Sequence, residues 1–235
     1  MKHEEKYLRM TFNERIQHFL LLSSFITLVI TGFALKYPEA WWVAWGPKVF
    51  GEYAFELRGL IHRIAAVVMV SASFYHLLYI IFTQRGRKLV ADLWFYRQDL
   101  TDLMESLGYI TGKKKDRPKL GRFSYIEKAE YWAVVWGTVV MGATGAVLWF
   151  QNFFLPIINV SGMDIATAIH WYEAILASLA ILVWHFYFIF LNPDVRPMNK
   201  AWYTGFLTRH QMENEHPREL EEIEAAEKAE TVNEV

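Results

Sequence analysis

An all-α integral membrane protein, built as a bundle of four transmembrane helices with both termini on the cytoplasmic side, is the fold class this sequence predicts. Three observations carry it. Hydrophobic residues make up 54% of the 235-residue chain and aromatic residues 17%, and they gather into blocks long enough to cross a hydrocarbon core of about 30 Å. Basic residues concentrate between the second and third blocks. Five histidines lie within the apolar blocks, four of them in two nearly matched pairs.

The opening MKHEEKYLRMTFNER carries both charge signs and no small-residue cleavage site, so the first block is expected to be a retained helix and not a signal peptide. Spans are expected at 19–35, 60–82, 131–150 and 167–191. Trp41, Trp42 and Trp45 after the first span, and Trp149 and Phe150 ending the third, have the character of aromatic anchors at the outer interface. The loop between spans two and three holds Arg85, Arg87, Lys88, Arg97, Lys113, Lys114, Lys115 and further basic residues, whereas the first loop has three and the last none. That bias places the central loop and both termini in the cytoplasm, and the inner (cytoplasmic) membrane is the expected location. Within the loop, Leu93, Leu100, Leu103, Met104 and Leu107 recur at helical spacing, which predicts an interfacial amphipathic helix over 92–107. The segment from Asn192 to Pro197 should end span four. Residues 1–200 then form the transmembrane domain, and 201–235 an acidic cytoplasmic tail whose ELEEIEAAEKAE run is a solvated helix or disordered.

Cysteine is absent, which removes disulfides, iron–sulfur clusters and covalently attached haem. The histidine pairs are His62/His76 in span two and His170/His185 in span four. Spacings of 14 and 15 residues correspond to about 21 to 22 Å along a helix, with net rotations of about −40° and +60°. Each helix therefore presents one imidazole near either side of the membrane on broadly one face. Spans two and four run in the same direction, so His62 and His170 share the outer side while His76 and His185 share the cytoplasmic side. Two haem b groups with bis-imidazole ligation fit this arrangement. Zinc or non-haem iron would use closely spaced histidines with carboxylates, and no such intramembrane cluster is evident. The competing reading makes each histidine part of a polar network between helices.

An internal repeat agrees with two histidine pairs. Glu14-Arg15 precedes Thr31-Gly32 by the same 17 residues by which Glu127-Lys128 precedes Thr144-Gly145, and each unit is followed by a span with two histidines. The pattern is that of a duplicated helical hairpin. Gly32, Gly142 and Gly145 would admit close approach of a helix or of a flat macrocycle.

The run from Phe12 to Phe19, with Thr31-Gly32 and Pro38, resembles the first helix of the cytochrome b subunits of membrane-bound formate dehydrogenases and nickel–iron hydrogenases. Further matches are Arg58-Gly59-Leu60-Ile61-His62-Arg63, Gly121-Arg122-Phe123 with Glu127-Lys128 and Tyr131-Trp132, Ile169-His170, His185, and His216-Pro217-Arg218-Glu219. The resemblance implies a di-haem, quinone-linked subunit of a larger oxidoreductase. It implies an outer haem on His62 and His170 and a cytoplasmic-side haem on His18 and His185, leaving His76 to contact quinone or a propionate. The repeat instead pairs His76 with His185, because His18 corresponds to Tyr131, and both assignments stand at this point. Arg58, Arg63 and Arg15 are candidate propionate partners, or interfacial snorkelling residues. The family's quinone headgroup lies near the start of span three, here Ser124, Ile126 and Glu127, where the formate dehydrogenase subunit has Asn, Gly and Gln. Glu127 is either a proton relay or a helix-start acid favoured by the local dipole.

The implied function is electron transfer, in either direction, between an outer-side redox partner and menaquinone or ubiquinone, with the main substrate chemistry on another subunit. That partner would carry iron–sulfur clusters, a molybdopterin or nickel–iron site, or be a multihaem c-type cytochrome. Lipid is expected around the spans and no nucleic acid is expected. The alternatives are a stand-alone transmembrane b-type cytochrome and a haem-free scaffold or transporter. His210 and His216 are expected to be ordinary surface residues.

Overall fold

Runs of Leu, Ile, Val, Phe and Ala satisfy every backbone group internally only as helix when water is excluded, and four such runs are helices. The computed structural model describes residues 5–195 and 198–233. In order, the elements are β1 (Lys6–Leu8), α1 (Phe12–Lys36), α2 (Gly46–Phe50), α3 (Ala54–Phe82), α4 (Gln84–Asp92), α5 (Arg97–Ile110), α6 (Tyr125–Trp149), α7 (Gln151–Leu179), α8 (Ala201–Thr204), β2 (Phe206–Thr208), α9 (Arg209–Glu215) and α10 (Pro217–Asn233). The helices α1, α3, α6 and the run Gln151–Leu191 are each long and apolar enough to cross a membrane. Phe19, Ile30, Val67, Phe74, Val139 and Leu176 are exposed along them, as lipid-facing positions require.

Span four departs from its expected start at 167. Helix begins at Gln151 and is broken at Asn159, whose φ of 56° and ψ of −176° are non-helical. Asn159 Oδ1 accepts a hydrogen bond from the Gly162 backbone N–H at 3.2 Å. This is an N-cap bond, so the uninterrupted helix starts at Val160. Beyond Leu179 the helix widens into π-helical turns over Ala180–His185 and Tyr187–Leu191, and Asn192 N–H closes the last turn on Tyr187 O at 2.9 Å. The expected break thus falls after Leu191, while Pro197 lies outside the described residues.

The helix expected over 92–107 corresponds to α5, which begins at Arg97 and is preceded by a separate helix, α4, that ends at Asp92. Thr83 caps α4 by accepting from Gly86 N–H at 2.9 Å, and Asp99 starts α5 by accepting from Tyr96 N–H at 2.6 Å. Leu93 between them is buried, whereas Leu100, Met104 and Leu107 remain exposed.

By backbone contact the chain resolves into two compact units, one of residues 1–12, 80–135 and 182–235 and the other of 13–79 and 136–181. In the first, β1 and β2 pair antiparallel with Tyr7 opposite Leu207, a ribbon the sequence did not predict. Ala201, Leu207, Met212 and Leu220 form a small core with Tyr7 and Ile223 packed on it. Around that core Arg9 pairs with Glu219, Arg218 with Asp102 at 2.8 Å, and Arg122 with Asp92 at 3.4 Å.

His216 corrects an expectation, because it is 4% exposed and not a surface residue. Its Nδ1–H donates to Gly121 O at 2.9 Å and its Nε2 lies 3.3 Å from Arg9 Nη2. Burial foremost, and then the Arg9 charge, push its pKa below the ordinary histidine value. His210 is exposed, as expected.

Candidate functional site

Within the unit of residues 13–79 and 136–181, α3 and α7 bring His62 and His170 face to face. Their ring centroids are 6.5 Å apart, with planes inclined by 69°. The Thr31 hydroxyl donates to Thr27 O at 2.6 Å and lies 2.9 Å from His62 Nδ1. The Thr144 hydroxyl likewise donates to Val140 O at 2.7 Å and lies 2.9 Å from His170 Nδ1. A hydroxyl whose hydrogen is committed to a carbonyl offers only its lone pairs, so each histidine must donate from Nδ1. Both therefore present an unprotonated Nε2, the form that binds iron.

The neighbouring glycines repeat the match. A Cβ on Gly32 would stand 3.3 Å from His62 Cε1, and one on Gly145 would stand 3.4 Å from His170 Cε1. The Thr-Gly dipeptides thus hold each ring by its Nδ1 and clear space beside its Cε1.

Two collinear metal–nitrogen bonds of about 2 Å each, with half a ring added at either end, span about 6 Å. The observed separation of 6.5 Å fits one metal ion between two imidazoles. Arg58 adds to the fit, because its Nε and Nη1 are buried without a hydrogen-bond partner among the described residues, while its guanidinium stacks on Phe55 at 5.5 Å. Donors of that kind suit a buried carboxylate such as a haem propionate. Arg63 lies over Trp149 at 5.6 Å, and Arg15 is partly buried in the first turn of α1.

Elsewhere in the same unit, His76 Nδ1 lies 2.6 Å from Gln17 Oε1. Gln17 donates in turn to Asn13 Oδ1, and Asn13 donates to the Tyr75 hydroxyl at 2.6 Å. His76 is thus also held by Nδ1. His18, next to Gln17, is partly buried on α1.

The other unit holds His185, in the π-helical continuation of α7. Its Nδ1 lies 3.0 Å from Glu130 Oε2. Two anchors fix the start of α6 around Glu130. Lys128 Nζ is 2.8 Å from Asp99 in a buried ion pair, and the Trp132 indole donates to Leu93 O at 3.0 Å. Glu130, two residues from each and so about 200° around the helix, reaches for the histidine from a different face. Ser124 and Glu127 are occupied with one another, since Glu127 Oε2 accepts from Ser124 N–H at 2.8 Å and from its hydroxyl at 2.9 Å. That is the bonding of a helix-start acid.

Comparison with known proteins bears on this geometry. The family model for prokaryotic cytochrome b561 matches residues 9–200. The chain belongs to the prokaryotic cytochrome b561 family. Membership implies b-type haem. This cytochrome is 22% identical over 226 residues to the formate dehydrogenase cytochrome b556(fdo) subunit of Escherichia coli strain K12, covering 95% of the chain and 96% of the relative. It is 21% identical over 227 residues to the nitrate-inducible cytochrome b556(Fdn) subunit of the same strain, covering 97% and 96%. A formate dehydrogenase cytochrome b556 subunit of Haemophilus influenzae is 23% identical over 195 residues, covering 81% and 74%.

Several residues that shape this cytochrome's candidate site were missed by sequence reasoning. Thr31 and Thr144 were visible as repeat markers, but their role as acceptors was not. Gln17 and Glu130 stand at the same offset as Glu14 and Glu127, so the repeat, applied three residues further, points to both. Glu173 is a carboxylate inside span four whose Oε1 would meet a Cβ on Gly137 at 3.0 Å. Among the described residues no group of three or more His, Cys, Asp or Glu could hold a metal ion directly.

Proposed function

We propose that this cytochrome is the membrane subunit of a respiratory oxidoreductase, whose two bound b haems supply one-electron transfer between an outer-side redox partner and menaquinone or ubiquinone. The matched hydrogen bonds from His62 to Thr31 and from His170 to Thr144, with the rings spaced for one metal ion between them, carry this reading. His62 and His170 bind the outer haem, Gly32 and Gly145 leave room beside the rings, and Arg58 with Arg63 meets its propionates. His185 with His18 binds the cytoplasmic-side haem, the ligand set that the family resemblance supplies, and Arg15 serves its propionates. Ser124 and Glu127 border the quinone headgroup, their mutual bond holding the loop in place. The partner is a redox subunit with iron–sulfur clusters and a molybdopterin or nickel–iron site, or a multihaem c-type cytochrome. Support comes from the relatives, which are named as formate dehydrogenase subunits. The charge bias of the loops supports cytoplasmic termini.

One observation favours a second ligand set. His76, held by Gln17 through Nδ1, has the posture of a metal-binding histidine, as the duplicated-hairpin pairing with His185 requires. A reduced-minus-oxidised spectrum with haem quantification decides between them. Two haems per chain, with one lost in His18→Ala and both kept in His76→Ala, supports the first set. The reverse pattern supports the second, and a colourless wild-type protein would sink the electron-transfer reading altogether.

A further inference from the structure

The repeat that matches Thr31 to Thr144 also matches Gln17 to Glu130, each lying 113 positions after its counterpart. At both places the residue receives the Nδ1 of a histidine from the helix that follows, Gln17 that of His76 at 2.6 Å and Glu130 that of His185 at 3.0 Å. Three of the four span histidines in the two matched pairs thus meet a neutral oxygen, two of threonine and one of an amide. The Nδ1 of His185 meets a carboxylate. Glu130 is 20% exposed at its side chain, and its second oxygen, Oε1, is buried with no hydrogen-bond partner among the described residues. Its negative charge is therefore aimed largely at one imidazole.

We infer that Glu130 is a positioning residue that holds His185 through Nδ1 and lowers the reduction potential of the haem it binds, making the two haems of this chain electronically unequal. The inference rests on the proposed role of His185 as a haem ligand. A hydrogen bond from Nδ1–H to a carboxylate fixes the tautomer, orients the ring and makes Nε2 a stronger donor. A stronger donor stabilises ferric over ferrous iron, and the adjacent charge acts in the same direction. The Thr31 and Thr144 hydroxyls give their ligands the same orientation without the charge. Lys128 and Trp132, locked to Asp99 and Leu93 on another face of α6, keep Glu130 in place.

The test is a potentiometric titration of the haem visible bands, with haem quantification, on the protein purified with whatever subunits accompany it. In Glu130→Gln, which restores the amide found in the first half of the repeat, both haems should be retained. One component should shift upward, by about tenfold in the ferrous-to-ferric ratio at fixed ambient potential, equivalent to about 59 mV for one electron. The other component should stay in place. Retention of both haems with neither potential moved overturns the inference. Should Glu130→Gln fail to assemble, Glu130→Asp serves instead. Its shorter reach weakens the bond, so an upward shift of one component supports the role and an unchanged potential refutes it. His185→Ala separates the two layers of argument. Loss of one haem upholds the ligand assignment on which Glu130 acts, and retention of both overturns that assignment and the inference with it.

Discussion

At the scale of single residues, the chemistry of the candidate site lies as much in what holds the histidines as in the histidines themselves. Replacing Thr31 by Val keeps the shape but removes the acceptor, leaving the Nδ1–H of His62 buried and unpaired. Such a loss costs about 1–3 kcal/mol, and free rotation of the ring should follow. If His62 and His170 bind haem as proposed, Thr31→Val and Thr144→Val are each expected to weaken its retention, and the double variant to lose it on detergent dilution, as measured by haem per chain. Full occupancy in the double variant would show that the hydroxyls do not position the rings. His62 and His170 were legible in the sequence because a membrane histidine is rare and paired spacing is rarer. Their threonine partners were legible only as repeat markers, since a hydrogen bond between helices leaves no local signal. Glu130 was hidden for a different reason. An acid close to a helix start has an ordinary explanation in the helix dipole, which Glu127 fulfils through Ser124 and Glu130 does not.

Among elements, hydropathy located the four spans, but their ends were set by capping and helix type that composition does not encode. Asn159 combines a positive φ with an N-cap bond, the one non-glycine residue among the described residues to do so. Asn159→Ala should destabilise through loss of the cap, typically about 1 kcal/mol, while retaining the strain of a β-carbon at positive φ that Asn159 already bears. Asn159→Gly keeps the permitted φ and should lose far less. Thermal melts in detergent check this, and equal losses for Ala and Gly would show that backbone conformation contributes nothing there. The π-helical turns before His185 escaped notice entirely. The rotation predicted for a 15-residue step assumes 3.6 residues per turn, whereas turns closing at i+5 redirect every later side chain.

On the scale of the whole molecule, the unit of residues 1–12, 80–135 and 182–235 was the least legible part. Its core is small, and charges on segments far apart in sequence tie it together, with Arg9 paired to Glu219 and Arg218 to Asp102, and Arg9, Glu127 and Glu219 acting on His216. Its acidity dependence follows from that burial. Above about pH 6.5 the imidazole is neutral whether the unit is folded or not. Below that value the unfolded chain takes up a proton that the folded site resists, because burial and then Arg9 depress the folded pKa. Stability should therefore fall as the pH drops from neutrality toward 5. Amide exchange of α10 at pH 7.5 and 5.5 should show the loss, with a flatter dependence in His216→Gln. Identical slopes in the two proteins would remove His216 from the account. The ribbon that pairs Lys6 with Thr208 has a consequence for biosynthesis. Its two strands are about 200 residues apart, and closing so long a loop carries an entropy cost. The first strand must wait, unpaired with its partner, until all four spans and the chain beyond Gly205 have emerged from the ribosome, so closure of the ribbon is among the last events of folding.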